Sequence, residues 1–107
     1  DMIISGGVNI YPAAIEAVLH KHASVADCAV FGIPDEEYGE AVHAVVQLRP
    51  GESASEDAVR AFLRERVAGY EVPRTVEFRD DLPREDSGKI FKRKLRDPFW
   101  EGAGRSI

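Results

Sequence analysis

The apolar residues of this chain recur with two different periods, and each period predicts a different kind of element. Ile15, Val18 and Leu19 share one helical face, because they are three and four residues apart. Pro12 suits the first position of a helix, where its missing N–H leaves no hydrogen bond unmade. The pattern therefore predicts an amphipathic helix over residues 12–21.

A second helix is predicted from a set of apolar residues on one face: Val59, Phe62, Leu63 and Val67. Two serines compete as its N-cap. Ser53 has Glu56 three residues later, as in a capping box, whereas Ser55 lies directly before the acidic first turn. Gly69 is the expected C-terminal stop.

Runs of apolar and β-branched residues predict strands. Residues 25–33 and 41–48 are the longest such runs and indicate buried strands, with a polar turn at 34–37 between them. Residues 75–78 predict a shorter strand. Residues 90–96 are compatible with either a strand or a short helix.

The two ends of the chain have patterns of their own. Ile3 and Ile4 are separated from residues 8–10 by Ser5-Gly6-Gly7, and paired glycines favour a tight turn. A small N-terminal hairpin is therefore predicted. Residues 101–107 are rich in glycine and are expected to fray.

The predicted order of elements, β-β-α-β-β-α-β, is typical of an α+β fold. We expect a small mixed sheet flanked by helices, with an N-terminal two-stranded hairpin. A length of 107 residues allows one domain. Because the chain opens abruptly at Asp1 on strand-like sequence, we expect it to be part of a larger protein.

Composition narrows the class of protein. No apolar stretch approaches the roughly 18 residues of a membrane-spanning helix, so no membrane span is expected. A single cysteine, Cys28, excludes an internal disulfide, favours the cytoplasm and is predicted to be a small buried hydrophobe. No metal site is predicted, because no metal-ligating residues accompany the histidines, His20, His22 and His43.

Charge is unevenly distributed along the chain. The whole sequence has 14 basic and 19 acidic residues, a net charge of −5, which argues against a general nucleic-acid binder. Residues 1–81 contain 7 basic and 15 acidic side chains, whereas residues 82–107 contain 7 and 4. The basic C-terminal end is therefore a candidate for binding negative charge.

Lys89 is the main candidate for chemistry, because it follows Gly88 in a loop and precedes several more basic residues. A Gly-Lys pair suggests a phosphate-binding P-loop. That motif needs glycine at the position of Pro83 and serine or threonine at the position of Ile90, so a P-loop is excluded. From the residues alone, a solvated basic turn is the simpler interpretation.

Two segments together resemble a known family. Residues 1–16, which include Ile4-Ser5-Gly6-Gly7, resemble the glycine-loop motif that opens the C-terminal domain of adenylate-forming enzymes. Residues 82–96 resemble the closing lysine motif of the same domain, Pro-x4-Gly-Lys. Between them, Gly32-Ile33-Pro34-Asp35 and Gly39-Glu40 also fit the family pattern.

The resemblance implies a domain of a two-domain ligase. Residues 1–107 would be the C-terminal domain, a mobile lid, and the partner would be a large N-terminal domain of the same enzyme that lies outside this sequence. The enzyme would be an acyl-CoA synthetase. It would activate a small-molecule carboxylate with ATP and Mg²⁺ to an acyl-adenylate and transfer the acyl group to coenzyme A (CoA). The end of the chain resembles bacterial fatty-acyl-CoA ligases.

The resemblance also assigns roles to particular residues. Lys89 would be the catalytic lysine of adenylation, and acetylation of such a lysine would remove its charge. Ser5, Gly6 and Gly7 would line the tunnel for the pantetheine arm of CoA; from the residues alone, these glycines could equally make a tight turn.

Three further side chains would bind CoA if the resemblance holds. Tyr38 and Tyr70 match positions where aromatic rings hold the adenine, although both could instead be half-buried core tyrosines. Arg64 lies near a position that meets the 3′-phosphate, although a solvated helix face is the simpler interpretation.

Two other functions remain open. One is a peptide-synthetase adenylation subdomain, whose acceptor is the thiol of a carrier protein rather than free CoA. The other is a non-catalytic module whose basic end binds an anionic partner such as RNA. A comparison of the two acceptors separates the first alternative, and the sequence upstream of Asp1 decides the second.

Overall fold

A computed structural model describes residues 2–104. The elements, in chain order, are β1 (Ile3–Ser5), β2 (Val8–Ile10), α1 (Pro12–Leu19), β3 (Val25–Asp35), β4 (Gly39–Leu48), α2 (Glu56–Arg64), a 3-10 turn (Gly69–Glu71), β5 (Thr75–Phe78) and α3 (Lys92–Gly104). Strands β1 and β2 form an antiparallel hairpin. The other sheet has the order β3-β4-β5, with β3 antiparallel and β5 parallel to β4. The predicted α+β class, mixed sheet and hairpin are confirmed.

The three-stranded sheet is covered on both faces. Val30 points into a core that also contains Ile15 of α1 and Leu63 of α2. Its neighbour Phe31 points the other way, into a smaller core that contains Leu95 of α3. Burial of both faces explains why β3 and β4 are almost continuously apolar rather than alternating.

Helix α3 is the main correction to the predicted elements. The alternatives for residues 90–96 included a strand, and residues 101–107 were expected to fray. The structure instead continues one helix from Lys92 to Gly104, and residues 105–107 lie outside the described part of the chain. Tertiary contacts hold this helix, since Leu95 is buried and the Trp100 indole Nε1 donates a hydrogen bond of 2.8 Å to the Gly32 carbonyl.

The ends of α2 also differ from the prediction. Ser55 caps the helix, because its Oγ accepts a 3.0 Å hydrogen bond from the Ala58 amide, so the alternative cap and capping box at Ser53 are wrong. The Glu56 carboxylate accepts instead from the Val76 amide of β5 at 2.7 Å. Helix α2 ends at Arg64, well before the expected stop at Gly69, which begins the 3-10 turn.

The β3–β4 turn and the end of α1 shift by a few residues. Strand pairing continues through Pro34 and Asp35, so the turn occupies residues 36–38 and β4 begins at Gly39, where φ is +85°. Helix α1 ends at Leu19 rather than at residue 21. The change in the β3–β4 turn places Tyr38 within the turn, beside the N-terminal hairpin.

Candidate functional site

Lys89 lies at the end of a tight loop that hydrogen-bonds to itself. The Glu85 amide donates to the Lys89 carbonyl and the Gly88 amide donates to the Glu85 carbonyl, both at 2.8 Å. The Phe91 amide closes the loop by donating to the Pro83 carbonyl at 2.7 Å. Gly88 has φ +91°, a left-handed conformation that favours glycine. We call residues 83–91 the lysine loop.

The lysine loop borders a pocket of about 360 Å³, here called the lysine pocket, against β3 and α1. Two ion pairs cross it. Arg84 contacts the Asp27 carboxylate at 2.7 Å, and Lys92 contacts Glu16 at 2.8 Å. Lys89 itself is exposed, and within residues 2–104 its ammonium has no ion-pair partner. The flanking cations are therefore engaged, while the candidate lysine is available to a ligand.

Cys28 lines the same pocket but is a structural residue. Burial, followed by the nearby Glu16 and Asp27 carboxylates, raises the pKa of its thiol to about 12 against an opposing effect of Lys92. The side chain is 3 % exposed. This burial confirms the prediction of a small buried hydrophobe. A neutral buried thiol is also a poor nucleophile.

Three of the six residues predicted to contact CoA line a different pocket. This pocket, here called the arginine pocket, has a volume of about 330 Å³. Its lining includes three of the predicted residues and two further arginines: Ser5, Arg64, Tyr70, Arg60 and Arg74. These side chains come from the hairpin, α2, the 3-10 turn and the segment before β5. The structure thus places next to one another residues that are far apart in sequence.

Tyr38 and Gly6 adjoin one another beside this pocket. The Gly6 amide donates a 2.9 Å hydrogen bond to the Tyr38 carbonyl, and a β-carbon at Gly6 would lie 3.1 Å from the Tyr38 ring. Asp35 accepts from the Tyr38 amide at 2.8 Å and from the Arg74 guanidinium at 2.7 Å. The Arg74 guanidinium also lies 5.5 Å from the centre of the Tyr38 ring. Tyr38 is therefore fixed to both the glycine turn and the arginine pocket.

The exposure of the tyrosines decides one alternative. Tyr38 is 44 % exposed and Tyr70 is 58 % exposed, and neither belongs to either hydrophobic core, so the interpretation of both as core tyrosines is wrong. Arg64 is exposed on α2, as a solvated helix face requires, and it also lines the arginine pocket. Gly7 has φ +83° and open space around it, so its position fits a turn.

A family model now places this geometry among known proteins. The model of the AMP-binding enzyme C-terminal domain matches residues 14–89, which is most of the chain and ends on Lys89 itself. The chain belongs to the AMP-binding enzyme C-terminal domain family.

Individual relatives agree with this assignment. The AMP-binding C-terminal domain is 45 % identical over its whole length to fatty acid–acyl-carrier-protein ligase ScoC from Streptomyces coeruleorubidus, covering 21 % of that protein. It is 50 % identical over 92 % of its length to a feruloyl-CoA synthase from Amycolatopsis, covering 20 % of it. A fatty acyl CoA synthetase structure from Mycobacterium tuberculosis matches 95 % of the chain and 20 % of its own, at 41 % identity and a TM-score of 0.86. The chain thus spans about a fifth of the relatives it matches.

Two arginines that line the arginine pocket of this AMP-binding C-terminal domain were not predicted from the sequence. Arg60 precedes Arg64 by one helical turn, so the i, i+4 spacing on α2 could have identified it. Arg74 has no such local signal. Its partner Asp35 is 39 residues away in sequence, and only the paired β4 and β5 bring the two together.

His43, a buried polar residue of the AMP-binding C-terminal domain, has structural partners. His43 is buried beside α3, where its ring nitrogens contact the Thr75 hydroxyl at 2.6 Å and the Glu77 carboxylate at 3.2 Å. Among residues 2–104, no group of three or more His, Cys, Asp or Glu side chains could hold a metal ion. No helix of that part of the chain is long and apolar enough to cross a membrane.

The two pockets of this domain share no lining residue. Among the residues that the structure describes, the Lys89 ammonium in the lysine pocket has no ion-pair partner, which suits a single site of crowded negative charge. The arginine pocket is lined by three guanidinium groups beside an exposed aromatic ring. The Arg60 Nε donates to the Pro73 carbonyl at 2.9 Å, and Arg74 pairs with Asp35. Each guanidinium nevertheless keeps further N–H donors, so the set suits a phosphorylated nucleotide. The AMP-binding C-terminal domain therefore carries two chemically different surfaces.

Proposed function

We propose that this chain is the mobile lid of a cytoplasmic acyl-CoA synthetase and presents one of its two pockets in each half-reaction. The separation of the lysine pocket from the arginine pocket carries the proposal, because each suits a different step. In the first step a carboxylate and ATP form an acyl-adenylate and release pyrophosphate. In the second step the thiol of CoA takes the acyl group and AMP leaves.

Lys89 would serve the first step. A carboxylate oxygen attacks the α-phosphorus while the bond to pyrophosphate breaks, so negative charge concentrates around one phosphorus atom. A long ammonium side chain can contact carboxylate and phosphate oxygens together and stabilise the transition state more than the ground state. The absence of an ion-pair partner for Lys89 within residues 2–104 supports this role, since no carboxylate there must be displaced first.

The arginine pocket would serve the second step. Arg64, with Arg60 and Arg74, would bind phosphates of CoA, and the exposed rings of Tyr70 and Tyr38 would contact its adenine. The Ser5-Gly6-Gly7 turn would let the pantetheine arm pass close to the backbone, because glycines place no side chain in its path.

Most of the ATP site would lie in the N-terminal domain. Mg²⁺, which neutralises phosphate charge in such reactions, would be bound there with ATP. The chain's own contribution to ATP would be Lys89.

A carrier protein is the second candidate acceptor. The relative that matches the whole chain is named as a ligase for acyl-carrier protein, whereas the feruloyl relative is named for CoA. Both acceptors present a phosphopantetheine thiol, but only free CoA adds a 3′-phosphorylated adenine nucleotide. The three arginines of the arginine pocket favour CoA, because a carrier-bound arm leaves them without that nucleotide.

The acceptor can be tested with the full-length enzyme. The measurement is ATP-dependent thioester formation with free CoA, with pantetheine and with a holo carrier protein, over a panel of fatty and aromatic acids. Arg64→Met should raise the KM for CoA about 10-fold to 100-fold, since a charge-assisted hydrogen bond is worth about 1.5–3 kcal/mol, and should leave pantetheine turnover unchanged. Equal effects on both acceptors would contradict the CoA assignment of Arg64.

The anion-binding module remains the contrasting class of function. The enzyme would be favoured by an AMP-binding domain encoded upstream of Asp1. It would also be favoured if the complete protein released AMP and pyrophosphate only when a carboxylic acid substrate was supplied. Salt-sensitive RNA binding without any such release would favour the module.

A further inference from the structure

Arg84, itself in the lysine loop, makes one hydrogen bond to the sheet and one within the loop. Its Nη2 donates to the Asp27 carboxylate at 2.7 Å, and its Nη1 donates to the Gly88 carbonyl at 3.1 Å. Gly88 directly precedes Lys89, and Asp27 lies near the start of β3. The guanidinium therefore connects the residue before the catalytic candidate to a fixed strand.

The lysine loop does not need Arg84 for its internal shape. Its hydrogen bonds between Glu85 and Lys89, Glu85 and Gly88, and Phe91 and Pro83 use backbone atoms alone. What the Arg84 guanidinium adds is the orientation of the whole loop relative to the sheet. Loss of that side chain should displace the loop without unfolding it.

Asp27 is well placed to be the fixed end of this connection. Its Oδ1 atom accepts a 2.9 Å hydrogen bond from the Cys28 amide, and His20 lies 3.6 Å from the same oxygen. Its Oδ2 atom is left for Arg84. The carboxylate is only 24 % exposed, whereas Arg84 reaches in from the surface with 42 % exposure. The strand thus orients the carboxylate, and the carboxylate orients the arginine.

We propose that the Asp27–Arg84 pair positions Lys89 for adenylation. The inference rests on the proposed role of Lys89 and adds residues that act through it. Two of the five N–H donors of Arg84 are bound to protein atoms that hold the loop against the sheet, so we assign the arginine a positioning role. Displacing a reacting group by about 1 Å can slow a reaction on the order of 100-fold.

The test compares single and double variants in the full-length enzyme. Arg84→Met removes the connection, and Asp27→Asn removes the carboxylate charge while keeping an oxygen for the Cys28 amide. Each should lower kcat for acyl-adenylate formation by about 10-fold to 100-fold, with thioester formation from supplied acyl-adenylate changed by less than about twofold. The double variant should be no slower than the slower single variant, because both changes break the same connection.

Arg84→Lys provides a graded readout. Lysine keeps the charge but cannot donate from a planar fork to two acceptors at once, so adenylation should recover only in part. Arg79→Met is the matched control, because Arg79 is similarly exposed at 46 % and pairs with Glu77 outside both pockets. It should leave both steps at the wild-type rate.

Several results would overturn the proposal. Normal adenylation in Asp27→Asn beside a slow Arg84→Met would show that the arginine acts without the carboxylate. Additive losses in the double variant, or equal losses in both half-reactions, would also contradict a shared positioning role. Lys89→Ala, measured in parallel, separates the proposed function from the positioning role. If adenylation survives in Lys89→Ala, the proposed function fails. If Lys89→Ala loses adenylation but Arg84→Met adenylates normally, only the positioning role fails.

Discussion

Gly6 combines a left-handed backbone with a close aromatic neighbour. Its φ is +57°, and a β-carbon would lie 3.1 Å from the Tyr38 ring, so a side chain here is both strained and crowded. Gly6→Leu should slow thioester formation at least about tenfold, because the side chain would enter the proposed path of the thiol. Backbone strain of this kind, on the order of 1–3 kcal/mol, should lower stability rather than cause this loss. Adenylation should survive, which rapid-quench assays of the two steps can measure.

Gly51 supplies the control for that change. It also has a positive φ, +80°, but open space surrounds it and it lines neither pocket. Gly51→Leu should therefore introduce similar backbone strain without the loss of thioester formation. Loss of adenylation alone in Gly6→Leu would contradict the assignment of the glycine turn.

Cys28 gives a prediction that depends on pH. Burial raises the pKa of its thiol from 9.0 to about 12, so at pH 8 the folded protein should hold about a thousandfold less thiolate at this position than an unfolded chain. Alkylation by iodoacetamide, followed at the Cys28 peptide by mass spectrometry, should be correspondingly slow until the protein unfolds. Native labelling as fast as that of the denatured protein would show that the thiol is not buried.

At the scale of single residues, sequence reasoning predicted which side chains form the candidate site but not the contacts that orient them. The motif residues Ser5 and Lys89 could be named as candidates because their resemblance is local in sequence. The links that orient them are long-range: Asp27 and Arg84 are separated by 57 residues, and Asp35 and Arg74 by 39. Such pairs have no periodic signal and become visible only when the strands are paired.

At the scale of elements, the cap of α2 provides a direct test of the structure. Ser55→Ala should destabilise the helix start by about 1 kcal/mol, because the Ala58 amide loses its acceptor. Ser53→Ala is the matched control and should change little, since Ser55 rather than Ser53 caps the helix. Hydrogen exchange of peptides from residues 56–64 measures the difference; equal protection in the two variants would contradict this cap.

Elements with a clear hydrophobic period were predictable, and α3 was not. Its first residues contain few apolar side chains, Pro98 lies inside it and Gly102 follows, so local propensity indicates a break. Burial of Leu95 and the Trp100 hydrogen bond to β3 overcome that preference. Helices held mainly by tertiary contacts are the kind that sequence patterns miss.

At the scale of the whole molecule, the uneven charge has a structural counterpart. The basic C-terminal end contains the lysine loop and the first turn of α3, while the arginines of the second pocket come from the otherwise acidic part of the chain. A count of charges along the sequence therefore indicated the basic surface at the lysine pocket but not the one at the arginine pocket. The proposed exchange of two pockets between two steps depends on both.

The central claim is that Lys89 serves one half-reaction only. In the full-length enzyme, Lys89→Ala should lower carboxylate-dependent ATP–pyrophosphate exchange by about 10²-fold to 10³-fold, the usual effect of removing one transition-state contact. Lys21→Ala, which removes an exposed lysine outside both pockets, should leave that exchange unchanged. Thioester formation from supplied acyl-adenylate should stay within about twofold of wild type in Lys89→Ala. An equal loss in both assays would contradict the division of labour between the two pockets.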